Sequence, residues 1–152
     1  MSFRARKKAR PRLPAGKVIC VAMQLRYALL ADFANVTQDG KLNILGVFDN
    51  LYALTFPAVH RQLFLVDSIE SDREDEGQTR EVRIQMINAD GDVLHELNGQ
   101  FVFGLGNQTM NQVHLFHDLR FESPGPYQFN IFFGEHIVKT LDLELLQVQA
   151  GG

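Results

Sequence analysis

The pattern of apolar and polar positions is clearest around one polar tetrapeptide, Thr37-Gln38-Asp39-Gly40. Apolar runs flank it on both sides, from Tyr27 to Val36 and from Leu42 to Phe56. An Asp-Gly pair between two strand-like runs is a strong short-range signal of a β-hairpin, because glycine takes the positive φ of a tight turn without steric cost. The pattern therefore predicts a long central hairpin.

The second arm of this hairpin has apolar residues at both parities. They are Leu42, Ile44, Leu45, Val47, Phe48, Leu51 and Tyr52. A strand that is covered on both faces has this composition. We therefore predict that the second arm is a middle strand of a packed sheet rather than an edge strand.

After Pro57 the chain continues as extended segments separated by turns. Leu63 to Ile69 is predicted to form a strand, and Glu81 to Ile87 alternates cleanly, as a half-buried antiparallel strand does. The inward residues of the latter are Val82, Ile84 and Met86. The turn from Asn88 to Asp92 predicts a second hairpin, whose returning arm is Val93 to Leu97.

The last third of the chain predicts one more strand and a third hairpin. Asn98-Gly99 is interpreted as a turn, and Thr109 to Glu122 as a strand. Its inward residues are predicted to be Val113, Leu115, Leu119 and Phe121. After a break at Ser123 to Pro126, the segments Tyr127 to Phe133 and Ile137 to Val148 form the hairpin.

These elements define the predicted fold class. About eight or nine strands with turns between them, and no convincing helix, predict an all-β chain folded as a single antiparallel β-sandwich. Its topology is expected to be immunoglobulin-like or jelly-roll-like, and a barrel is the alternative. The chain has 152 residues, of which 45% are hydrophobic, and twelve Phe but no Trp. This composition suits one domain with an aromatic core.

Two groups of segments carry a resemblance to known proteins. The segment from Phe121 to Ile131, FESPGPYQFNI, resembles the Pro-Gly-x-Tyr strand of immunoglobulin-like sandwiches, in which Tyr127 would bury its ring and bond a backbone group. With Ala31 to Val36 and Gly40 to Gly46, the chain from about Leu25 to Val148 resembles a family of small bacterial proteins catalogued as a domain of unknown function. The resemblance implies a bacterial β-sandwich and carries no activity with it.

Charge divides the chain into two pieces. Residues 1 to 17 hold seven basic residues and no acid, so that the net charge of −3 leaves −10 for the remainder. This arm has no apolar period with which to join a core, so we predict disorder up to about Pro14. We expect residues 1–22 to be a basic extension of a domain that spans residues 23–149. Deleting residues 1–16 should leave the thermal midpoint of unfolding nearly unchanged.

The role of the extension stays open. It is either a real, solvated arm or an artefact of where translation is assumed to begin, because Met23 looks like the natural start of the folded domain. A run of positive charge without a reading motif is weak support for nucleic-acid binding, and we do not expect specific binding.

Compartment is predicted from the cysteine content and the hydropathy pattern. Cys20 is the single cysteine and lies among apolar residues, so it is interpreted as a small buried side chain in a reducing compartment. No apolar run approaches the ~18 residues of a membrane helix, and Val18 to Met23 is too short for the core of a signal peptide. We therefore expect a cytoplasmic protein without a membrane span.

The histidines were considered as metal ligands. His114 and His117 lie three apart, which on a strand places them on opposite faces, so one metal ion cannot bind both. His117 has the inward parity, and His117→Ala is predicted to cost about 1–3 kcal/mol of stability, whereas His114→Ala should be nearly neutral. His60 and His136 are placed in connections, and His95 is expected to be partly buried.

Carboxylates and glycines were considered next. Asp32, Asp39 and Asp49 bracket the central hairpin, and two of them in proximity would suit a hydrolase, although turn and strand-end roles explain each one. Gly104-Leu105-Gly106 is too short for a phosphate-binding loop. The acidic segment from Asp67 to Glu76 lacks the spacing of a calcium loop, and we predict no specific calcium site there.

The sequence thus predicts no catalytic, cofactor-binding or metal-binding residue, and it favours a protein that is not an enzyme. We expect a non-catalytic protein-interaction module whose protein partner is unknown. The alternative is a ligand- or cation-binding domain that uses the loops at one end of the sandwich. An exposed apolar patch would favour the first function, and convergent carboxylates or a polar-lined pocket the second.

Overall fold

The computed structural model describes residues 23–71, 77–104 and 109–150. The predicted basic extension, residues 1–22, lies outside these ranges, as do residues 72–76 of the acidic segment and residues 105–106 of the glycine-containing loop. Nothing in the described part is a helix long and apolar enough to cross a membrane.

Nine β-strands in the described residues form two sheets. They are β1 Gln24–Val36, β2 Leu42–Val47, β3 Asn50–Ala53, β4 Ala58–Glu70, β5 Thr79–Ile87, β6 Val93–Val102, β7 Thr109–Phe121, β8 Gly125–Phe133 and β9 His136–Gln147. Sheet A has the order β2-β1-β4-β7, and sheet B has the order β3-β9-β8-β5-β6. The predicted all-β sandwich is confirmed. All pairs are antiparallel except β3 and β9, which are parallel.

The core between the sheets follows from alternation along the strands. The buried residues of β5 are Val82, Ile84 and Met86, as predicted. On the same face of the neighbouring strand β8, the buried residues are Tyr127, Phe129, Ile131 and Phe133. The Phe116 ring of sheet A meets the Phe129 ring of sheet B edge-on, with centroids 5.4 Å apart. Burial of each large side chain stabilises the fold by about 1.5–3 kcal/mol, so the core carries most of the stability.

The predicted role of Tyr127 is confirmed. Its ring is buried and stands edge-on to Phe121, with centroids 4.8 Å apart. Its hydroxyl donates a hydrogen bond of 2.7 Å to the carbonyl oxygen of Ser123. The tyrosine therefore braces the turn between β7 and β8.

The central turn is also confirmed. Gly40 has a φ of +85°, and its N–H donates to the carbonyl of Thr37 at 3.0 Å. The first part of β1, Gln24 to Ala31, pairs with β4, and the second part, Ala31 to Val36, pairs with β2. The hairpin of β1 and β2 therefore folds over the outer face of sheet A. There it covers the buried residues Phe64 and Val66. The apolar residues that share this second, outer cluster are Ala34, Leu42, Ile44, Val113 and Leu115.

The prediction of one middle strand from Leu42 to Phe56 is wrong. The segment forms two strands, β2 and β3, which lie at the edges of different sheets. The chain crosses between the sheets at Phe48 and Asp49: the Phe48 N–H donates to the carbonyl of Leu30 in sheet A, and the Asp49 carbonyl accepts from Glu144 in sheet B. The segment has apolar residues at both parities because β2 and β3 belong to different sheets, and the residues that each strand turns toward the packing of its own sheet differ in parity.

Two further predictions about strands need correction. Asn98-Gly99 is not a turn, because β6 pairs continuously with β5 from His95 to Val102 and Gly99 lies opposite Val82. On β7 the inward parity changes: Phe116 and Leu119 are both buried, and between them Asp118 has a φ of +50°. A residue with positive φ rotates the strand, so the faces exchange at this point.

Candidate functional site

The two histidines of β7 have the reverse of their predicted environments. His117 is exposed, whereas His114 faces the space between the sheets. The Nε2 atom of His114 lies 2.7 Å from Oδ2 of Asp67 on β4, whose side chain has 0% exposed surface. A carboxylate removed from water needs a polar partner, so this contact is structural. No substrate can touch Asp67 while it is sealed in this way.

The other histidines do not form a metal site. His60 lies within β4 rather than in a connection, with the Phe48 ring edge-on at 6.1 Å. His95 is half-buried on β6, as predicted, and His136 begins β9 and is exposed. Among the described residues, no three His, Cys, Asp or Glu side chains are grouped closely enough to hold a metal ion.

Asp39 has a local role in the central turn. Its carboxylate accepts a hydrogen bond from the Thr37 hydroxyl and lies 3.2 Å from the Lys41 ammonium. The hydrogen bond from Thr37, followed by that from Lys41, lowers the pKa of Asp39 below its ordinary value. These contacts favour the charged form of the carboxylate, which therefore stabilises the exposed turn.

Asp32 and Asp49 are likewise explained by their neighbours. The Asp32 carboxylate lies against Gly46, where a β-carbon would come within 2.5 Å of Oδ2. Asp49 accepts a hydrogen bond of 2.7 Å from the side chain of Asn50. Each of these two carboxylates thus has a local contact at the crossover or on the edge strand beside it.

The candidate site is instead an exposed apolar margin. We call residues Leu45 to Leu54 the β2–β3 edge, because they include parts of both edge strands and the crossover between them. Four of its large side chains are mostly exposed: Leu45 (64%), Val47 (59%), Tyr52 (64%) and Leu54 (58%). Single exposed apolar residues are ordinary, whereas four on one segment make the β2–β3 edge the candidate site.

Neighbouring strands extend this apolar surface. Phe33 lies opposite Leu45, and Leu146 lies opposite Tyr52. Both are exposed, and so is Val148, just beyond the end of β9. Exposed apolar side chains on β1 and β9 therefore adjoin those of both edge strands.

The backbone of β3 is available for pairing on its outer side. The N–H groups of Glu144 and Val148 donate to the carbonyls of Asp49 and Ala53 at 2.9 and 3.0 Å. In a parallel pair, successive residues alternate between facing the partner strand and facing away from it. The positions whose N–H and C=O groups face away from β9 are therefore Asn50 and Tyr52.

A hollow and an acidic margin adjoin β3. The hollow, of about 600 Å³, lies at the end of β3 and is lined by Leu54, Thr55, Val148 and the chain that follows. Three carboxylates lie near the strand: Asp49, Asp142 and Glu144. None of the three has an ion-pair partner among the described residues.

A second depression lies on the outer face of sheet B, between β5, β6 and the turn from β8 to β9. It has a volume of about 510 Å³ and polar lining residues that include Glu81, Asn98, Gln100 and Glu135. The Arg83 guanidinium lies over the Phe132 ring in this region, 4.2 Å from its centroid. Nearby, hydrogen bonds from Gln85 and then Asn98 lower the pKa of Glu96. The depression is a polar groove with both signs of charge.

Sequence reasoning missed the β2–β3 edge because it took the apolar residues of this segment as a sign of burial. The available signal was the break at Asp49-Asn50, together with Gly46, inside a run that was treated as one strand. Glycine and Asp-Asn interrupt strands, so they indicate two shorter strands. Whether the side chains of these two strands are exposed depends on the order of the strands in the sheets, and the hydrophobic pattern of the sequence does not contain that order.

The chain belongs to a family of unknown function (DUF6941), whose model matches residues 26–146. This confirms the resemblance inferred from the segments of β1, β2 and β8. No curated protein sequence matches the chain.

Solved structures with a similar arrangement of strands include an immunoglobulin-like protein from Pseudomonas aeruginosa, at 11% identity and a TM-score of 0.45, covering 83% of this chain and 98% of that one. They also include the Pseudomonas fluorescens alkylpurine DNA glycosylase AlkC bound to DNA containing an abasic site analog, at 13% identity and a TM-score of 0.48, covering 85% of this chain. This chain spans 31% of the glycosylase chain.

A third similar structure is Bifidobacterium dentium beta-glucuronidase complexed with coumarin-3-O-glucuronide, at 10% identity and a TM-score of 0.37, covering 80% of this chain and 17% of that one. All three TM-scores lie below 0.5, so no function is inferred from these structural similarities.

Proposed function

We propose that this domain is a non-catalytic protein-interaction module that binds a partner protein at the β2–β3 edge. The observation that carries the proposal is the exposure of Leu45 and Val47 on one edge strand, of Tyr52 on the other, and of Leu54 just after it. Each of these side chains would contribute about 1.5–3 kcal/mol if a partner removed it from water. A few such residues supply most of the energy of a protein interface.

The chemistry of the described polar groups supports a binding role rather than catalysis. The buried carboxylate of Asp67 is occupied by His114, and Asp39 is occupied by its own turn. A catalytic acid or base has to reach its substrate within hydrogen-bonding distance. Exposed apolar side chains beside unpaired strand edges instead suit the addition of a partner.

The experiment compares three forms of the full chain as affinity baits in extract of the source organism. The first is the wild type, and the second carries Lys at Leu45, Val47, Tyr52 and Leu54. The third is a control that carries the same four charges at exposed polar positions away from the edge: Gln62, Gln78, Thr79 and Gln100. A protein retained by the wild type and the control but not by the edge variant is then purified, and its affinity is measured by calorimetry.

We expect the purified partner to bind the wild type and the control equally and the edge variant at least about a hundredfold more weakly, because several apolar contacts are lost. Equal binding of the partner to all three forms would contradict the proposed site. Failure of any protein to distinguish the edge variant would contradict the proposed function.

A second candidate function is the binding of a small polar ligand in the groove of sheet B. The observation that favours it is the Arg83 guanidinium stacked on Phe132 beside the carboxylates of Glu81 and Glu135. A ligand that binds only the folded state raises the unfolding temperature. A thermal-shift screen of small polar metabolites tests this function, and a stabilisation that Arg83→Ala abolishes would support it over the first.

A further inference from the structure

We infer that β3 is the strand that receives the partner, and that it receives an extended segment containing basic and apolar residues. This segment pairs with the free edge of β3 and becomes a sixth strand of sheet B. The inference rests on the function proposed above and adds the position and the chemistry of the bound segment.

The backbone of β3 supplies the first part of the argument. Asn50 and Tyr52 direct their N–H and C=O groups away from β9, and β3 has no other neighbour in the described sheet. These four groups form a ladder that an incoming strand can pair with. Main-chain pairing of this kind gives affinity that depends little on sequence, so the side chains must provide the selectivity.

The side chains next to the ladder select an apolar residue. Tyr52 and Leu54 project from the edge strand, and Leu146 is the cross-strand neighbour of Tyr52. The hollow of about 600 Å³ begins at Leu54 and continues to Val148. A bound strand has alternate side chains on this face, so one of its apolar residues lies over Tyr52 and another enters the hollow.

The carboxylates select a basic residue. Glu144 lies opposite Asn50 at the start of β3, Asp49 precedes it, and Asp142 lies two residues before Glu144 on β9. Asp142 accepts a hydrogen bond from the Gln128 amide, and no described cation neutralises any of the three. A Lys or Arg at one end of the bound strand therefore meets a negative margin, while its apolar residues lie toward Leu54.

The same charges argue against a second copy of this chain as the occupant. A two-fold dimer through β3 brings the same surface of each copy together. A two-fold pairing of this edge strand is antiparallel, so Asp49 and Glu144 at the start of each β3 would lie opposite the apolar end of the other β3, at Ala53 and Leu54. A second copy therefore brings no described cation to these carboxylates at this edge, and a partner that carries a basic residue fits it better.

β2 is less suited to accept a strand. Gly46 has a φ of +69°, which interrupts its extended backbone, and the Asp32 carboxylate lies against this glycine. The side chains of Leu42 and Ile44 fold onto the outer face of sheet A. The uninterrupted part of β2 is therefore short, and the apolar side chains of Leu45 and Val47 lie at its bent end.

The probe for this inference is a displayed library of random octapeptides selected on the full-length protein. We expect enrichment of peptides with Lys or Arg near one end and apolar residues at alternate positions of the remainder. The affinity of an enriched peptide is measured by fluorescence anisotropy. Two double variants are compared, Tyr52→Lys with Leu54→Lys on β3, and Leu45→Lys with Val47→Lys on β2, whose replaced side chains are equally exposed.

We expect the β3 double variant to weaken peptide binding at least about tenfold. The β2 double variant should change it less than about twofold, because a short peptide paired with β3 does not cover Leu45 and Val47, which only the larger partner protein reaches. The milder variant Asp49→Asn with Glu144→Gln keeps the shape of the site, and it should weaken binding severalfold and reduce its dependence on salt. Hydrogen exchange gives an independent readout: the amides of Asn50 and Tyr52 become protected when the peptide binds, and those of Leu42 and Ile44 do not.

Several results would overturn the inference. They are the absence of any enriched peptide, enrichment of acidic peptides, protection of β2 amides in place of β3 amides, or self-association of the wild type that the β3 double variant abolishes. Loss of binding only in the β2 double variant would refute β3 as the receiver and leave the proposed function intact. If no protein from the extract distinguishes the fourfold Lys variant from the wild type, the proposed function falls as well.

Discussion

The Nε2 atom of His114 lies 2.7 Å from Oδ2 of Asp67, and this contact joins the edge strand β7 to β4 on the inner side of sheet A. Asp67 is completely buried, whereas the side chain of His114 is 17% exposed. The free-energy cost of breaking such a contact comes mainly from the carboxylate that is left behind without a partner.

His114→Ala should therefore lower the free energy of unfolding by about 2–3 kcal/mol. His117→Ala should change it little, because that side chain is exposed. Urea denaturation of both variants measures the difference. Equal losses in the two variants would contradict the placement of His114 on the inner face of β7.

The hydrogen bond from Tyr127 to Ser123 provides a second test. Tyr127→Phe removes the hydroxyl and keeps the ring, so it should cost about 1 kcal/mol. Tyr127→Ala also removes the ring from the core and should cost about 3–5 kcal/mol. Tyr52→Phe is the control, since its side chain is exposed, and it should leave the denaturation midpoint unchanged. A neutral Tyr127→Phe variant would show that the hydroxyl does not brace the turn.

Gly46 combines two constraints that can be separated. Gly46→Ala should cost about 1–2 kcal/mol for the left-handed backbone, and more for the approach of the new β-carbon to Asp32. Gly134 has a φ of +60° and open space around it, so Gly134→Ala measures the backbone share alone. In an Asp32→Ala background, the cost of Gly46→Ala should fall toward that of Gly134→Ala. Strict additivity of the two changes would refute the contact.

The pKa of Asp39 is lowered first by the hydrogen bond from the Thr37 hydroxyl and then by that from Lys41. A lowered pKa means that the fold favours the charged form, so this contribution is present above the unfolded-state pKa and is lost as the pH falls through the folded-state pKa. Thr37→Val should raise the pKa of Asp39 toward the ordinary value of an aspartate, and Thr37→Ser should not. Carbon-detected NMR titration of the Asp39 carboxyl group measures both, and an unchanged pKa in Thr37→Val would contradict the assigned cause.

Calcium should not bind specifically to the acidic segment from Asp67 to Glu76, which begins within β4. Asp67 at its start is committed to His114, and residues 72–76 lie outside the described part. The sequence of that stretch lacks the alternating ligand spacing of a calcium loop. Isothermal titration with millimolar calcium should show no saturable heat. A saturable heat that Asp72→Asn with Glu74→Gln abolishes would reverse this prediction.

Features that depend on neighbouring residues in the chain could be predicted from the sequence. Val82, Ile84 and Met86 alternate with polar residues, and period-two alternation places them on one face wherever the strand lies. Gly40 takes positive φ because its turn is closed by residues beside it. The burial of Tyr127 likewise follows from a short local motif. Together these features establish the all-β class.

Features that depend on distant residues could not be predicted in this way. Val113 and Leu119 have the same parity, yet Val113 packs in the outer cluster and Leu119 in the core. The central hairpin covers the first of them, and the positive φ of Asp118 turns the strand before the second. The buried partner of His114 is 47 residues away in sequence, so no local pattern contains it.

The candidate site shows the same division. By itself, the sequence determined that the segment from Leu42 to Phe56 is extended and apolar, because side-chain shape and alternation act over a few residues. Only the tertiary structure decided that this segment splits between two sheets and leaves Tyr52 and Leu54 at an open edge. The physical reason is that exposure is set by which strands pair with which, and β3 pairs with β9, whose residues lie almost a hundred positions further along the chain.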